Sequence, residues 1–242
     1  MQAAVRVLPS VAQLTRALKR QHGWVPVPPP KTAFEWVLWE NVAYLADDAQ
    51  RMRAFELLRA SVGLTPEAIL GASNPALLAV TRHGIVAPLF ARKLRQCAQL
   101  ARDRFDGDVD RALSSDVTPA ARQLLVFPGI GEPGAEKILV ALGRARTLPL
   151  ESNGLRVLLR VGFGKETRSY ASTYRSVKQA LPATRASSKS LLETHFLLQR
   201  HGRDVCKRSA PECGWCRLRP VCRYGTTIAT AGAIAGSRAP TS

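Results

Sequence analysis

The sequence predicts an all-α protein. Apolar residues recur at helical spacing along most of the 242 residues, and no segment shows the alternation of a half-buried strand. Helix-start residues divide this pattern into segments: Ser10 with Gln13 forms a capping-box pattern, Thr65 precedes Pro66, and Thr118 precedes Pro119. A series of short helices that bury their apolar faces against one another follows from these observations.

The charge favours a polyanionic partner. Thirty-five Lys and Arg residues against eighteen Asp and Glu residues give a net charge of +17, which is most simply matched by nucleic acid. No apolar run reaches transmembrane length, and the N-terminus lacks the layout of a signal peptide. We therefore expect a cytoplasmic protein without membrane contact, in which cysteines serve as metal ligands or reactive thiols rather than disulfides.

The stretch Phe127-Pro-Gly-Ile-Gly-Glu-Pro133 lies between two apolar segments of helical spacing, which predicts a hairpin between two helices. Gly129 and Gly131 allow a positive φ and a close approach of a partner, and Pro133 suits the first turn of the second helix. The exposed amides of such a turn, with the positive end of the helix, suit a phosphate oxygen. The alternative is an ordinary helical turn that binds nothing.

The segment from Phe34 to Leu45 is nearly all apolar and predicts a buried helix with one carboxylate, Glu40, in its middle. A lone buried charge is costly unless it is paired or protonated, and burial raises the pKa of a carboxyl group. Two interpretations stay open from this segment alone: a solvent-facing residue at a helix edge, and a general acid in a cleft.

Four cysteines near the C-terminus have the spacing C-x6-C-x2-C-x5-C: Cys206, Cys213, Cys216 and Cys222. Four thiolates so close in sequence can surround one metal centre, either structural zinc or a [4Fe–4S] cluster, and unligated thiols are the remaining alternative. Cys97 lies far away and is expected to be a buried small hydrophobe. Five basic residues accompany the cysteines and are expected to contact phosphates: Lys207, Arg208, Arg217, Arg219 and Arg223.

The hairpin, the cysteine spacing, the segment Leu150-Glu-Ser-Asn-Gly-Leu-Arg-Val157 and His201-Gly-Arg203 together resemble the helix-hairpin-helix DNA glycosylases of the endonuclease III type. The resemblance covers about residues 34–224. It implies a six-helix barrel domain (36–146) that holds the hairpin, and an iron–sulfur helical domain (1–35 and 147–225) with a [4Fe–4S] cluster on the four cysteines. It also implies a DNA-binding cleft between the two domains. The low-complexity tail, 226–242, is expected to be disordered.

The resemblance also implies which residues bind DNA. The hairpin residues Gly129, Ile130 and Gly131 are expected to grip phosphates, and Asn153 and Arg156 are assigned to DNA binding as well. Leu45, beside Tyr44, falls at the family's duplex-wedging glutamine. An apolar wedge is physically reasonable, and Leu45 in the core is the alternative.

Three departures from the family pattern concern the chemistry. Pro133 stands where bifunctional members carry the Schiff-base lysine, so that chemistry is missing at this position. Lys137 follows one turn later on the same helix face and is a possible substitute. Glu151 falls at the family's catalytic aspartate. Glu40, aligned on Phe34-Glu35, falls at the catalytic glutamate of the adenine-excising mismatch glycosylases, which are similar in lacking the lysine.

The sequence therefore predicts a monomeric, monofunctional DNA N-glycosylase of base excision repair that acts on double-stranded DNA with a damaged or mismatched base. Glu40 is expected to be a protonated acid, and Glu151 an anion at a helix start. A bifunctional glycosylase with lyase activity through Lys137 is the first alternative. A DNA-binding protein that has lost the chemistry is the second, and the base that is excised stays open.

Overall fold

A computed structural model describes residues 7–113 and 116–227. All regular secondary structure in these ranges is helical, so the all-α prediction is confirmed. The helices are α1 (Val11–His22), α2 (Ala33–Val42), α3 (Asp48–Ser61), α4 (Pro66–Gly71), α5 (Asn74–Thr81), α6 (Ala87–Phe105), α7 (Val109–Ala112), α8 (Val117–Leu124), α9 (Glu132–Ala141), α10 (Ser152–Val161), α11 (Tyr170–Ala180) and α12 (Ser188–Asp204), with a 3₁₀ helix at Arg219–Val221. None of the helices in the described ranges combines the length and hydropathy needed to cross a bilayer.

The chain divides into two compact units. One unit runs from Pro28 to Ala145, and the other ends at Val27 and resumes at Arg146. The domains expected from the sequence have boundaries close to these, at residues 36 and 146. Their expected roles, a hairpin domain and an iron–sulfur domain, stay a prediction. The tail 226–242 lies outside the described residues except for Thr226 and Thr227, which are helical rather than disordered.

In the unit Pro28–Ala145, α2 is the central helix. Thr32 caps its first turn, and almost every residue that follows is buried, so α2 packs against α3, α6, α7 and α9 at once. The sequence predicted this helix as far as Leu45, but it ends at Val42, and the next three residues form a turn. An unbroken apolar run carries no signal for this end, because the run continues through the turn.

In the other unit, α12 packs against both α1 and α10. The capping box predicted at Ser10 and Gln13 is present in both of its halves. Gly202 allows the closest approach of α12 to α10, because a Cβ atom at this position would lie 2.6 Å from the Asn153 carbonyl oxygen. The hydroxyl groups of Thr15 and Thr194 join α1 to α12 through a buried hydrogen bond of 2.7 Å.

The predicted hairpin is present between α8 and α9, with the Ile130 amide donating to the Phe127 carbonyl. Gly129 has a φ of +81°, as expected, and a Cβ atom there would lie 2.6 Å from Asn41 Oδ1. The expectation of a positive φ at Gly131 is wrong, because its φ is −99° and nothing lies closer than 3.8 Å to a Cβ atom there. Asn41 Nδ2 donates to the Pro128 carbonyl, which ties α2 to the hairpin.

Gly129→Ala is expected to destabilise the protein by about 1–3 kcal/mol, because alanine would have to adopt the left-handed conformation and displace the Asn41 amide. Urea unfolding followed by circular dichroism measures this loss. Gly131→Ala is the matched control and should change the midpoint little, since its backbone is extended and its surroundings are open. Equal midpoints for the two variants would contradict the assignment of the strain to Gly129.

Candidate active site and cysteine cavity

The two candidate catalytic groups in the unit Pro28–Ala145 meet directly. Glu40 on α2 and Lys137 on α9 form an ion pair, with Glu40 Oε1 2.6 Å from Lys137 Nζ. Both side chains are largely buried, with 16% and 10% of their surface exposed. The helix-edge interpretation of Glu40 is therefore not what the structure shows: this carboxylate points into the packed region between α2 and α9.

The pairing changes the expected state of Glu40. The sequence predicts a carboxyl group that burial keeps protonated, but a neighbouring ammonium favours the carboxylate and opposes that effect. The resting form supported by the contact is an ion pair. Sequence reasoning placed Lys137 on the correct helix face but did not connect it with Glu40, because nothing local links residues on two different helices.

Asn41, the next residue along α2, was missed by the sequence prediction. It is fully buried, and its amide group donates both to the Val37 carbonyl within the helix and to the Pro128 carbonyl of the hairpin. An asparagine in the middle of an apolar run was the available signal, since a buried amide must find partners. Adjacent residues of α2 therefore hold Lys137 and the hairpin.

The turn after α2 presents apolar side chains to solvent. Leu45 is 70% exposed with a φ of +54°, so the alternative of a core position is not what the structure shows. Tyr44 is partly exposed and stacks on Phe90. A non-glycine residue in the left-handed region is strained and is enriched at functional sites.

A second exposed apolar pair, missed by the sequence prediction, lies beside this turn. Ile85 and Val86 are about half exposed, and Val86 also has a φ of +54°. The Ile85 amide donates to the Tyr44 carbonyl, and a Cβ atom at Gly84 would lie 2.4 Å from the Tyr44 amide nitrogen. The two segments are thus held together through their backbones, with their apolar side chains outward.

Glu151, in the other unit, is the N-cap of α10. Its Oε1 accepts from the Gly154 amide at 2.7 Å, and its Oε2 accepts from the Asn153 side-chain amide at 3.0 Å. The expected position at a helix start is therefore observed, and the backbone amides there favour an anion. Burial and, after it, the Glu151 charge raise the pKa of Tyr170, so the phenol lies within electrostatic reach of this carboxylate.

Asn153 and Arg156, both expected to bind DNA, are used inside the protein. Asn153 bridges Glu151 and Arg156: its Oδ1 accepts from Arg156 Nη2 at 2.8 Å. The Arg156 guanidinium also donates to the carbonyls of Gly202 and Cys206. A continuous set of hydrogen bonds therefore connects Glu151 to the first cysteine of the cluster, and a DNA-binding role for these two residues stays a prediction.

Cys206, Cys213, Cys216 and Cys222 line a single small pocket, together with apolar residues that include Val157 and Leu218. Two of the four sulfur atoms accept from an N–H group, and a third lies beside a histidine nitrogen. Arg160 Nη1 donates to Cys206 Sγ at 3.3 Å, His201 Nε2 lies 3.3 Å from Cys216 Sγ, and the Gly225 amide donates to Cys222 Sγ at 3.4 Å.

Without a cation, this cavity disfavours thiolates. Burial, above all, raises the pKa of Cys216 to about 11, and the neighbouring thiols Cys206, Cys222 and Cys213 act in the same direction. Burial likewise raises the pKa of Cys222. Within the described part of the chain, no group of three or more His, Cys, Asp or Glu side chains is placed to hold a metal ion, although the four cysteines share one cavity.

Comparison with known proteins agrees with this fold. No protein-family model matches the chain. Endonuclease III of Sulfolobus acidocaldarius is 28% identical over 195 residues, which cover 80% of this chain and 83% of the relative. A trapped covalent intermediate of endonuclease III with DNA has a similar structure, with a TM-score of 0.71 and 19% identity over 92% of this chain and 100% of that one. A thermostable thymine-DNA glycosylase also has a TM-score of 0.71, at 13% identity over 90% and 95% of the two chains.

These similarities confirm the resemblance to the helix-hairpin-helix DNA glycosylase superfamily. Within that superfamily, the sequence relative and one of the two structural neighbours are endonuclease III proteins, and the fold is that of endonuclease III.

Proposed function

We propose that this protein is a monofunctional DNA N-glycosylase of base excision repair, which removes a damaged or mismatched base from double-stranded DNA. The observation that carries the proposal is the buried ion pair of Glu40 and Lys137, on a helix whose next residue holds the hairpin. The similarity to endonuclease III supports the reaction class, and the net charge of +17 supports the polyanionic substrate.

The ion pair can supply the proton that the departing base needs. Breaking the N-glycosidic bond leaves its electron pair on the base and a positive charge on the sugar. Proton transfer from the Lys137 ammonium to Glu40 makes a carboxyl group, which donates to the base as it leaves. Water then adds to the sugar carbon, and the proton that it loses restores the pair. The products are the free base and an abasic site.

Glu151 serves the other half of the reaction as an anion. Its carboxylate is held by the Gly154 amide and the Asn153 side chain at the start of α10, so it is fixed in orientation. A fixed anion stabilises the oxocarbenium-like sugar in the transition state. Two carboxylates with different protonation states divide the work in the same way in glycoside hydrolysis.

Two described surfaces in the unit Pro28–Ala145 support DNA binding. The hairpin offers the amides of Gly129 and Gly131 and the positive end of α9 to a phosphate, while the Ile130 amide closes the turn. The outward apolar residues Leu45, Ile85 and Val86 have the character of side chains that enter a base stack and separate its bases. Backbone strain at two of these three residues fits a binding role better than a packing role.

Glu40→Gln and Glu151→Gln are each expected to lower the single-turnover excision rate by about a hundredfold or more, because neither amide can exchange a proton or carry the charge. The substrate is first found with a set of duplexes that each contain one lesion, scored for abasic sites. Duplex affinity should change little, since phosphate contacts provide most of it.

The matched controls for this experiment are Glu35→Gln on the same helix as Glu40 and Glu166→Gln in the unit of Glu151, which should excise at the wild-type rate. Circular dichroism of Glu40→Gln checks that the unpaired Lys137 has not unfolded the protein. Wild-type excision by Glu40→Gln would remove this residue from the mechanism, and wild-type excision by both variants would refute the two-carboxylate proposal.

The same ion pair favours one second candidate, a glycosylase with lyase activity. A lyase needs a neutral amine that attacks the sugar. Pro133 cannot provide one, but Lys137 becomes neutral at the moment when it transfers its proton to Glu40. The monofunctional proposal is preferred because the Lys137 side chain is already held by the Glu40 carboxylate.

Borohydride is therefore expected not to trap the wild-type protein on a substrate duplex, because no imine forms, and the abasic strand should stay intact. Denaturing electrophoresis measures both outcomes. Efficient trapping that is lost in Lys137→Gln and kept in the surface variant Lys165→Gln would establish the lyase candidate instead.

We further propose a [4Fe–4S] cluster on Cys206, Cys213, Cys216 and Cys222. The residues fit such a group: four sulfur donors line one pocket, and N–H groups that donate to two of them favour metal-bound thiolates. Four thiolates also suit structural zinc, and the similarity to endonuclease III favours the cluster. Bound there, a cluster would tie together the loop segments that carry the four cysteines.

Purified protein is expected to contain about four iron and four sulfide per chain and to absorb broadly in the visible range, as metal and sulfide analysis with spectroscopy will show. Cys216→Ser should lose iron because it removes a ligand. Cys97→Ala is the control that should keep iron, since Cys97 is buried on α6 in the other unit. Stoichiometric zinc without iron would contradict the cluster.

A further inference from the structure

We propose that Trp215 is a stacking platform for an unpaired nucleobase, an inference that rests on the proposed binding of nucleic acid. Trp215 lies between Cys213 and Cys216 and is 65% exposed, although tryptophan is the side chain with the largest apolar surface to bury. A single exposed aromatic residue is common on protein surfaces. Two further observations separate Trp215 from that background.

The first observation is that the indole ring is held in place. Trp215 Nε1 donates to Glu212 Oε2 at 3.0 Å, and the other oxygen of Glu212 accepts from Lys207 Nζ at 2.5 Å. The only polar atom of the ring is therefore already bonded, and what remains for solvent is an apolar aromatic surface of fixed orientation. A ring that is fixed before binding loses little conformational entropy when a partner stacks on it.

The second observation is the charge of the loop that carries the ring. Residues 206–223 contain five cations, Lys207, Arg208, Arg217, Arg219 and Arg223, and a single carboxylate, Glu212. That carboxylate is occupied by Lys207 and Trp215, and the four arginines have no carboxylate partner in the described part of the chain. The loop is also anchored, since the Arg217 amide donates to Gln21 on α1.

A fixed aromatic face on a loop with four unpaired arginines has the features of a single-strand binding surface. Cations attract the phosphates, and the ring stacks on a base of any identity because every base has a π-face. A base within an intact duplex is already stacked on its neighbours, so the ring selects bases that are unpaired. Such bases occur beside a flipped nucleotide, at a mismatch or in a single strand.

The test compares binding of wild-type protein, Trp215→Ala and Trp215→Phe to three ligands: a fully paired duplex, the same duplex with one unpaired base, and single-stranded oligothymidine. Trp215→Ala should bind the second and third ligands about tenfold more weakly and the paired duplex almost normally. Trp215→Phe should recover most of the loss, because a phenyl ring still stacks.

Salt dependence separates stacking from charge. Trp215→Ala should leave the slope of log affinity against log salt unchanged, whereas Arg217→Ala should reduce the slope by about 0.7–0.9. Trp24→Ala is the matched control, because Trp24 is 75% exposed in the same unit but lies outside the cysteine loop in the sequence. Oligothymidine should quench the fluorescence of Trp24→Phe, which keeps Trp215, but not that of Trp215→Phe, which keeps Trp24 instead; Trp36 and Trp39 are buried in both variants.

Unchanged binding of Trp215→Ala to all three ligands would overturn the proposal, as would equal weakening for all three with an altered salt slope. These results are independent of base excision. If the wild-type protein excises a base and Trp215→Ala binds all three ligands normally, the stacking platform is refuted and the glycosylase proposal is not. Selective loss of single-strand binding, in a protein that excises no base from any duplex, would refute the glycosylase proposal alone.

Discussion

The burial of α2 is the constraint on which the unit Pro28–Ala145 depends. A helix packed on nearly every side can carry a polar group only if that group finds a partner inside the protein. Glu40 finds Lys137, and Asn41 finds the Pro128 carbonyl. The Coulomb gain of such a pair, about 4 kcal/mol for charges 4 Å apart at an effective dielectric constant of 20, is comparable to the cost of desolvating two charges. Net stabilisation is therefore a weak reason for the pair, and fixing the geometry of α2, α9 and the hairpin is a stronger one.

In the other unit, arginines rather than apolar residues organise the cysteine loop. Arg160 donates to Cys206 Sγ and to the carbonyls of Lys207 and Arg208, and its guanidinium lies over the ring of Tyr224. Arg156 binds the Cys206 carbonyl and Asn153, which in turn binds Glu151. Some of the basic residues, Arg156 and Arg160 among them, therefore stabilise the fold of the loop. The cations left for nucleic acid are those whose guanidinium groups are exposed and unpaired.

Local patterns were sufficient to predict the helices, the capping box, the hairpin and the Glu151 cap, because each depends on residues a few positions apart. They were insufficient wherever the outcome depends on a partner distant in sequence. The pairing of Glu40 with Lys137 and the internal use of Arg156 belong to this class. The end of α2 was also missed, since Tyr44 and Leu45 are as apolar as the helix before them, and a Leu with a positive φ has no sequence signature. Gly131 shows a different error: the sequence suggested a positive φ at this glycine, and its φ is −99°.

The choice between hydrolysis and lyase chemistry depends on where one proton resides. While Lys137 is an ammonium ion bound to Glu40, its nitrogen has no lone pair to attack the sugar, and the pair is a store of one transferable proton. In the proposed mechanism that proton reaches the departing base, and the amine is then neutral for as long as water takes to add and return a proton. Pro133, one turn earlier on α9, cannot compete in that interval because it has no free amine. Hydrolysis is therefore the outcome if water reaches the sugar before the Lys137 amine does. Burial between α2 and α9 favours this order, because it keeps the lysine beside Glu40.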